Sequence, residues 1–205
     1  MYRGVPAVER QAARREQLLD AAYDLLGSGG WHATTVRAVC RRAGLTPRYF
    51  YESFPDLDAL LIAVFDDVVS DVMQVVLEAV REAPDDAHAK ARAAIGGFVR
   101  HVTRDPRRAR IVFSEALGSE ALAHRRSETL HLFAEMIAQQ GRAFYGLGGN
   151  DHLADTTAYM LAGGLAELLL AWHDGTIDST LEQLIDDCTE LFVATGEAAV
   201  AMAER

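Results

Sequence analysis

The chain has 205 residues, of which 50% are hydrophobic and 24% are charged, and it carries a formal net charge of −10. This is the usual balance of a soluble folded protein. No apolar run reaches the roughly 18 residues that span a bilayer, the N-terminus lacks the apolar core of a secretory signal, and two cysteines are too few for a disulfide framework. We therefore expect a cytoplasmic protein without membrane association.

The charges are divided unevenly along the chain. Residues 1–54 contain eight arginines and five acidic residues, a net charge of +3, whereas residues 55–205 have a net charge of −13. A basic end on an acidic body is typical of proteins that face a polyanion. The excess of +3 is modest and can also arise by chance, so charge alone leaves both interpretations open.

The first two helices are predicted from apolar residues that recur at spacings of three and four. The first covers about residues 9–26, and the GSGG segment at 27–30 ends it. The second begins after a cap at Thr34 or Thr35. Gly44 ends the second helix, because glycine tolerates the left-handed conformation at a helix C-terminus.

The third helix is short, and the helices after it are mostly long. Thr46 is expected to cap the third helix, with Pro47 in its first turn, where the missing N–H costs nothing. Asp56 is expected to cap the fourth. The pattern predicts an all-α protein of about nine helices, with a small domain at 1–54 and a larger one at 55–205. The later helices are predicted at about 57–82, 87–103, 106–118, 119–145, 152–173 and 178–203.

The second and third helices together are predicted to form a helix-turn-helix, whose second helix is anchored from behind and enters the DNA major groove in front. Phe50 and Phe54 share one face and can form the anchor. Arg48 can donate two hydrogen bonds to a guanine edge, and hydroxyl groups can hold phosphates. The alternative is an amphipathic αα-hairpin whose tyrosines only cover a core. The residues expected at DNA are Thr34, Thr35, Arg37, Thr46, Pro47, Arg48, Tyr49, Tyr51 and Ser53.

The segment GGWHATTVRAVCRRAGLTPRYFYESFPDLDALLIAVF, residues 29–65, resembles the tetracycline-repressor-type (TetR) family of transcriptional regulators. The Thr-Thr cap, the Ala-Gly-aliphatic-Thr sequence at 43–46, Tyr51, Phe54 and Leu60 all fall at that family's spacing. The resemblance implies an N-terminal helix-turn-helix domain that binds operator DNA. It also implies a larger helical domain that binds an effector and dimerises.

Three positions depart from the pattern of that family. Arg48 stands where the family usually has glycine, and Ser53 stands where it often has histidine or tyrosine. Leu57 replaces a basic residue that commonly contacts phosphate. The departures imply a different or weaker hold on the phosphates and leave the overall mode of binding unchanged.

The last two predicted helices are the candidates for dimerisation, because the eighth is apolar around more than one face. Gly163 and Gly164 would let another backbone approach closely. Two helices from each of two chains would form a four-helix bundle, as the resemblance also implies. The alternative is that these helices only close the core of one chain. The residues expected at the dimer interface are Leu161, Leu165, Leu168, Trp172, Leu184, Cys188, Leu191 and Phe192.

Helices four to eight are expected to enclose a pocket for a small-molecule effector. Pockets of this kind have apolar walls with a few polar groups. Because Met and Phe at helical spacing also fill ordinary cores, a packed core is the alternative. The expected contacts are Phe65, Val69, Met73, Phe98, His101, Val102, Phe113, Leu117, Phe133, Met136, Ile137, Gln140, Met160 and Glu167.

No motif indicates catalysis, a metal site or a cofactor. The seven histidines lack the close spacing of a metal site, and the arginine-rich segment 105–110 is expected to pair with nearby acids rather than to bind nucleic acid. We therefore expect a ligand-responsive dimeric regulator of transcription, and we favour a repressor released from a palindromic operator by a small apolar molecule. The alternatives are an all-α small-molecule-binding protein or enzyme whose N-terminal helices do not read DNA, and an activator or a regulator without a ligand.

Overall fold

A computed structural model describes residues 6–115, 119–145 and 152–203 of the chain. All regular elements in these ranges are helical and nine of them are α-helices, which confirms the predicted all-α fold. None of the described helices is long and apolar enough to cross a membrane. The helices are α1 (Ala7–Gly29), α2 (Val36–Ala43), α3 (Pro47–Ser53), α4 (Leu57–Glu82), α5 (Ala87–Arg104), α6 (Pro106–Ala109), α7 (Glu120–Tyr145), α8 (His152–His173) and α9 (Leu181–Ala203), with a 3₁₀ turn at Trp31–Ala33 and a π-helix at Arg110–Ser114.

The helices form two compact units. Unit 1 comprises Met1–Val69 and Pro106–Arg125, and unit 2 comprises Ser70–Asp105 and Arg126–Arg205. Helix α4 therefore belongs to unit 1 in its first half and to unit 2 in its second half. The boundary predicted between residues 54 and 55 separates a DNA-binding part from an effector-binding part. Units defined by packing do not test this division, so it stays a prediction.

Unit 1 is built around one cluster of leucine and aromatic side chains. Leu18 of α1, Phe50 of α3 and Phe65 of α4 are almost completely buried in it. Ile111 of the π-helix and Leu122 of α7 belong to the same cluster. Because burying a side chain of this size contributes roughly 1.5–3 kcal/mol, the cluster is the main reason that the short helices α2 and α3 stay on α1.

The ends of α1 and α2 are both set by glycine. Helix α1 continues to Gly29, and only Gly30 takes a positive φ of 76°, with its N–H donating to the carbonyl oxygen of Leu26 at 3.0 Å. The predicted end at Leu26 was therefore three residues early. Gly44 ends α2 in the left-handed conformation with a φ of 68°, as predicted.

Side-chain caps begin both α2 and α4. The hydroxyl oxygen of Thr35 accepts a hydrogen bond from the N–H of Ala38 at 3.2 Å, which settles the choice of cap for α2. The carboxylate of Asp56 accepts from the N–H of Ala59 at 2.8 Å at the start of α4, as predicted. Thr46 occupies the predicted N-cap position of α3, but its hydroxyl makes no capping hydrogen bond.

In unit 2, α9 packs against both α5 and α8. It begins with a capping box, since the hydroxyl of Thr180 accepts from the N–H of Gln183 at 3.2 Å and the side chain of Gln183 accepts from the N–H of Thr180 at 3.0 Å. Ile185 is completely buried. Arg100 of α5 donates to both carboxylate oxygens of Glu182, at 3.0 and 2.7 Å. Helix α9 is thus held to α5 by the buried side chain of Ile185 and by the exposed ion pair between Arg100 and Glu182.

A contact between α1 and α6 yields a stability prediction. A Cβ atom at Gly27 would overlap the Cβ of Arg107 and lie 2.9 Å from its Cγ and 3.1 Å from its Cα. Alanine normally stabilises a helix interior by up to about 1 kcal/mol relative to glycine, but overpacking costs about 1–3 kcal/mol. We expect Gly27→Ala to lower the free energy of unfolding by about 1–2 kcal/mol, measured by urea denaturation.

The matched control for this substitution is Gly141→Ala in α7. A Cβ at Gly141 would meet no atom within 4 Å, so we expect this variant to be as stable as the parent or slightly more stable. A Gly27→Ala variant with an unchanged or higher urea midpoint would show that α6 does not pack against α1 as described.

Candidate DNA-binding surface and effector cavity

Helix α3 has a buried anchor on one side and exposed polar residues on the other. Phe50 and Phe54 are buried, whereas the side chain of Arg48 is 85% exposed and Tyr51 is 61% exposed. The other predicted DNA contacts that are exposed are Thr35, Arg37, Thr46 and Pro47. The arrangement therefore presents an arginine, a tyrosine and the N-terminal end of α3 to the outside.

Three of the predicted DNA contacts are less accessible. Thr34 is buried, and its hydroxyl donates to the carbonyl oxygen of Gly30 at 2.9 Å, so this hydroxyl is occupied inside unit 1. Its role is to hold the turn after α1, which argues against a contact with phosphate. Tyr49 is half-buried beneath the guanidinium of Arg14, which lies 4.2 Å from the ring centre. Ser53 is also half-buried.

Glu52 holds the arginines of this surface. The Nε of Arg48 donates to its carboxylate at 3.0 Å, and the guanidinium of Arg14 lies 3.7 Å from it. The side-chain amide of Gln11 donates to the carbonyl oxygen of Glu52 at 3.3 Å. Because exposed ion pairs of this kind contribute at most about 1 kcal/mol, a phosphate or a base edge can replace Glu52 as the partner of Arg48.

A shared carboxylate joins α1, α2 and α6. Asp24 of α1 accepts hydrogen bonds from Arg42 of α2 at 3.0 Å and from Arg107 of α6 at 2.5 Å. The guanidinium of Arg107 also lies over the ring of Tyr23, 4.9 Å from its centre. This part of the arginine-rich segment thus pairs with an acid, as expected, but the acid belongs to α1.

A second pair connects the π-helix to the end of α1. Arg110 donates to Glu115 at 2.7 Å and to the carbonyl oxygen of Ser28 at 3.0 Å. The second carboxylate oxygen of Glu115 accepts from the backbone N–H of Trp31 at 2.7 Å. This network could not be predicted from the sequence, because Ser28 and Trp31 lie more than 80 residues from Arg110 and Glu115 in the chain.

Unit 2 contains a cavity of about 360 Å³ with an almost entirely apolar wall. This volume is at the lower end of the range of roughly 300–1,000 Å³ that is typical of small-molecule sites. Helices α4, α5, α7, α8 and α9 all contribute to the wall. Five of the predicted effector contacts line it, namely Phe98, Phe133, Met136, Ile137 and Gln140.

The space in the cavity exists because small residues face it. Alanine recurs at helical spacing on the cavity side of α5 and α8, and glycine or alanine faces it from α7 and α9. These small lining residues are Ala87, Ala91, Ala94, Ala138, Gly141, Ala154, Ala158, Ala162, Ala166, Gly196 and Ala199. They were missed by the sequence analysis, and the repeated spacing of alanine was the available signal.

Polar groups are few on the cavity wall. Among the described lining residues Lys90 is the one charged side chain, and Gln140, Thr157 and Tyr145 add neutral polar groups. Burial raises the pKa of the Tyr145 hydroxyl, and the nearby carboxylate of Glu197 raises it further. The hydroxyl therefore stays neutral and can donate a hydrogen bond.

The described residues offer no metal centre and no reactive thiol. No group of three or more His, Cys, Asp or Glu side chains in the described ranges is placed to hold a metal ion. Cys40 and Cys188 are both free and buried. Burial raises the pKa of each thiol, and a protonated, buried thiol is inert as a nucleophile.

The helix-turn-helix segment matches a known family. The family model described as "Bacterial regulatory proteins, tetR family" matches residues 18–64. Over 94 residues the chain is 33% identical to the HTH-type transcriptional regulator BetI of Klebsiella pneumoniae and 31% identical to BetI of Escherichia coli strain K12 / DH10B. The N-terminal region of the chain is therefore similar to that of TetR-family regulators. The match covers 45% of this chain and 48% of each relative, so the chain spans about half the length of the curated relatives it matches.

Solved structures are similar over most of the chain. The regulator FadR from Bacillus subtilis, in complex with stearoyl-CoA, has a TM-score of 0.73 at 19% identity and covers 88% of this chain and 98% of its own. A transcriptional regulator from Pseudomonas aeruginosa PAO1 has a TM-score of 0.74 at 21% identity, with coverage of 98% and 97%. At these identities the likeness shows the fold, and it extends well beyond residue 64. The relatives are named as transcriptional regulators and not as enzymes.

Several predicted effector contacts lie away from the cavity. Phe65 and Phe113 are buried in unit 1, and Val69 packs against the same cluster as Phe65. In unit 2, the ring of His101 lies 2.8 Å from the carboxylate of Asp71. These side chains stabilise the packing of helices within each unit, and spacing in the sequence could not distinguish that role from contact with a ligand.

The remaining predicted contacts are also absent from the cavity wall. Glu167 accepts a hydrogen bond from Arg126 at 3.1 Å, and Met160 is mostly exposed. Val102 is completely buried and Met73 is half-buried, but neither lines this cavity. Leu117 lies outside the described residues.

The predicted dimer contacts fall into three groups. Leu184 and Cys188 are buried inside unit 2, so they cannot be the outer surface of α9. Three others line the cavity, namely Leu161, Leu165 and Phe192. Leu168 and Trp172 are half-buried and Leu191 is 62% exposed. We call seven exposed apolar and small residues of the last two helices the outer residues of α8 and α9, namely Tyr159, Met160, Gly164, Leu191, Ala194, Ala198 and Met202.

Proposed function

We propose that the chain is a dimeric transcriptional repressor that binds a palindromic operator and releases it when a small molecule with an apolar body enters the cavity of unit 2. The observation that carries the DNA-binding part is the geometry of α3. Its aromatic anchor is buried, and Arg48, Tyr51 and the N-terminal turn are exposed, as a helix in the major groove requires.

The test of this function is selection from random duplex DNA. The purified full-length protein is incubated with the pool at several salt concentrations, and the bound DNA is sequenced. We expect enrichment of a palindrome whose affinity falls steeply with salt, because bound protein displaces phosphate counterions. The proposal fails if no sequence is enriched and only weak, salt-sensitive binding remains.

Arg48 supplies a sharper test of base recognition. If it donates to a guanine edge, Arg48→Ala should weaken binding to the selected operator by roughly 1–3 kcal/mol and relax the preference at one position of each half-site. The measurement is a titration of labelled operator and of operators changed at single positions.

The matched control is Arg37→Ala on the exposed side of α2. Loss of an arginine that contacts phosphate should weaken binding evenly across DNA sequences and reduce the salt dependence of binding. If Arg48→Ala behaves in the same way as Arg37→Ala, then Arg48 is a phosphate contact and not a base contact.

The effector-binding part of the proposal is supported by the apolar cavity and by the FadR neighbour, whose solved complex contains stearoyl-CoA. Helix α4 is a possible route of coupling, because Leu60 and Phe65 lie in the core of unit 1 and Val76 lines the cavity. A ligand that binds more tightly to the conformation that does not bind DNA than to the one that does will lower operator affinity. The size of the effect is set by the difference between its two binding free energies. Such couplings are typically about 1–3 kcal/mol.

Filling the cavity should weaken effector binding without harming the fold. A side chain at Gly141 has open space, and this residue lines the cavity. We expect Gly141→Leu to weaken binding of the neutral apolar fluorophore N-phenyl-1-naphthylamine at least about tenfold, because the added side chain occupies the volume that the ligand needs. Operator affinity without ligand should be unchanged, and equal fluorophore binding by both proteins would show that the cavity is not the site.

The dimer part of the proposal places the outer residues of α8 and α9 at the interface, as in a four-helix bundle. Gly164 is exposed, and a Cβ there would meet no atom of the same chain within 4 Å. We expect Gly164→Leu to raise the dimer dissociation constant at least about tenfold by overpacking, measured by analytical ultracentrifugation. Binding of the fluorophore should be retained, so each of the two glycine variants is the control for the other. An unchanged dissociation constant would exclude this part of α8 from the interface.

A further inference from the structure

The charge on the cavity wall selects among possible effectors. Lys90 is charged, and no aspartate or glutamate is among the described residues that line the cavity. A cationic ligand would therefore lose its hydration without gaining a counter-charge, which is costly in an apolar site. A ligand with a negative group near Lys90 and an apolar remainder matches both parts of the wall.

Lys90 lines the cavity and is partly exposed, so we place it at the rim. Its side chain is 32% exposed and forms an ion pair with Asp85, whose side chain is 90% exposed. The hydrogen bond from Lys90 lowers the pKa of Asp85. The apolar stem of the lysine thus belongs to the wall while its charged end reaches water, as is usual for long basic side chains at apolar surfaces.

The present partner of Lys90 is easily replaced. An ion pair with a nearly fully exposed carboxylate contributes little to stability, and Asp85 can be solvated once it is released. The neighbouring Asp86 is occupied differently, because its carboxylate accepts from the N–H of Ala89 at 2.7 Å and caps α5. Asp85 is therefore the competitor for an incoming anion.

We propose that the cavity binds a single-chain amphiphile with an anionic head, whose chain contacts the alanine-rich wall and whose head takes the place of Asp85 on Lys90. This inference rests on the proposed effector-binding role of unit 2, and it adds the chemical class of the ligand. The chain provides affinity through apolar burial, and the charge-assisted hydrogen bond to Lys90 provides selectivity.

The experiment compares three molecules that are built on twelve carbons in a row and differ in the head: dodecanoate, dodecanol and dodecyltrimethylammonium. Each is titrated into the protein by calorimetry at slightly alkaline pH, the two ionic molecules below their micelle concentrations and dodecanol below its solubility limit. We expect dodecanoate to bind about tenfold more tightly than dodecanol, in line with a charge-assisted hydrogen bond, and the cation to bind more weakly than both.

Substitutions at the rim identify the group that recognises the head. Lys90→Gln should remove the preference for dodecanoate over dodecanol, and Lys90→Arg should keep most of it. Asp85→Asn should tighten dodecanoate binding by roughly twofold to fivefold, because the competing carboxylate is lost, and should leave dodecanol unchanged. Circular dichroism of each variant checks that the helical fold is intact.

Equal affinity for dodecanoate and dodecanol, or a preference that survives Lys90→Gln, would overturn the assignment of an anionic head. Gly141→Leu should weaken binding of dodecanoate and dodecanol alike, and binding that it leaves unaffected would place the ligand outside the cavity and also overturn the inference. Operator binding is measured separately by the DNA selection, so a failure of headgroup selectivity is distinguishable from a failure of the regulatory function.

Discussion

The proposed DNA-facing surface depends on the burial of one phenylalanine. Helix α3 has seven residues, and a helix of this length is not stable in water without tertiary contacts. Phe50 supplies those contacts, because it is completely buried in the cluster that includes Leu18 of α1 and Val39 of α2. The position of Phe50 determines which side of α3 faces outward. Arg48 is therefore exposed because Phe50 is buried on the opposite side of the helix.

Helix α1 carries this packing, and a later part of the chain stabilises α1. Asp24 is shared between Arg42 and Arg107, and Arg110 contacts the carbonyl oxygen of Ser28. Unit 1 is therefore completed by residues 106–125 and not by the N-terminal helices alone.

The helix-turn-helix could be predicted because its signals are local. Gly44, Pro47 and the pair Phe50 and Phe54 each act within one or two helical turns, where sequence spacing determines geometry. The cavity could not be predicted in the same way, since empty space depends on small residues from several helices at once. Phe133 lines the cavity while Phe65 fills a core, and periodicity alone does not distinguish these two environments.

Helix α8 shows the same limit and also indicates how a ligand could act. Its two apolar faces were recognised from the sequence, but Leu161 and Leu165 face the cavity while Tyr159 and Gly164 are exposed. Much of the cavity face of α8 is alanine, which has no rotatable side chain. A ligand larger than the space available cannot be accommodated by a change of rotamer at these positions. At these alanines only a shift of the helix backbone can enlarge the space, and in the proposed dimer the outer face of the same backbone contacts the partner.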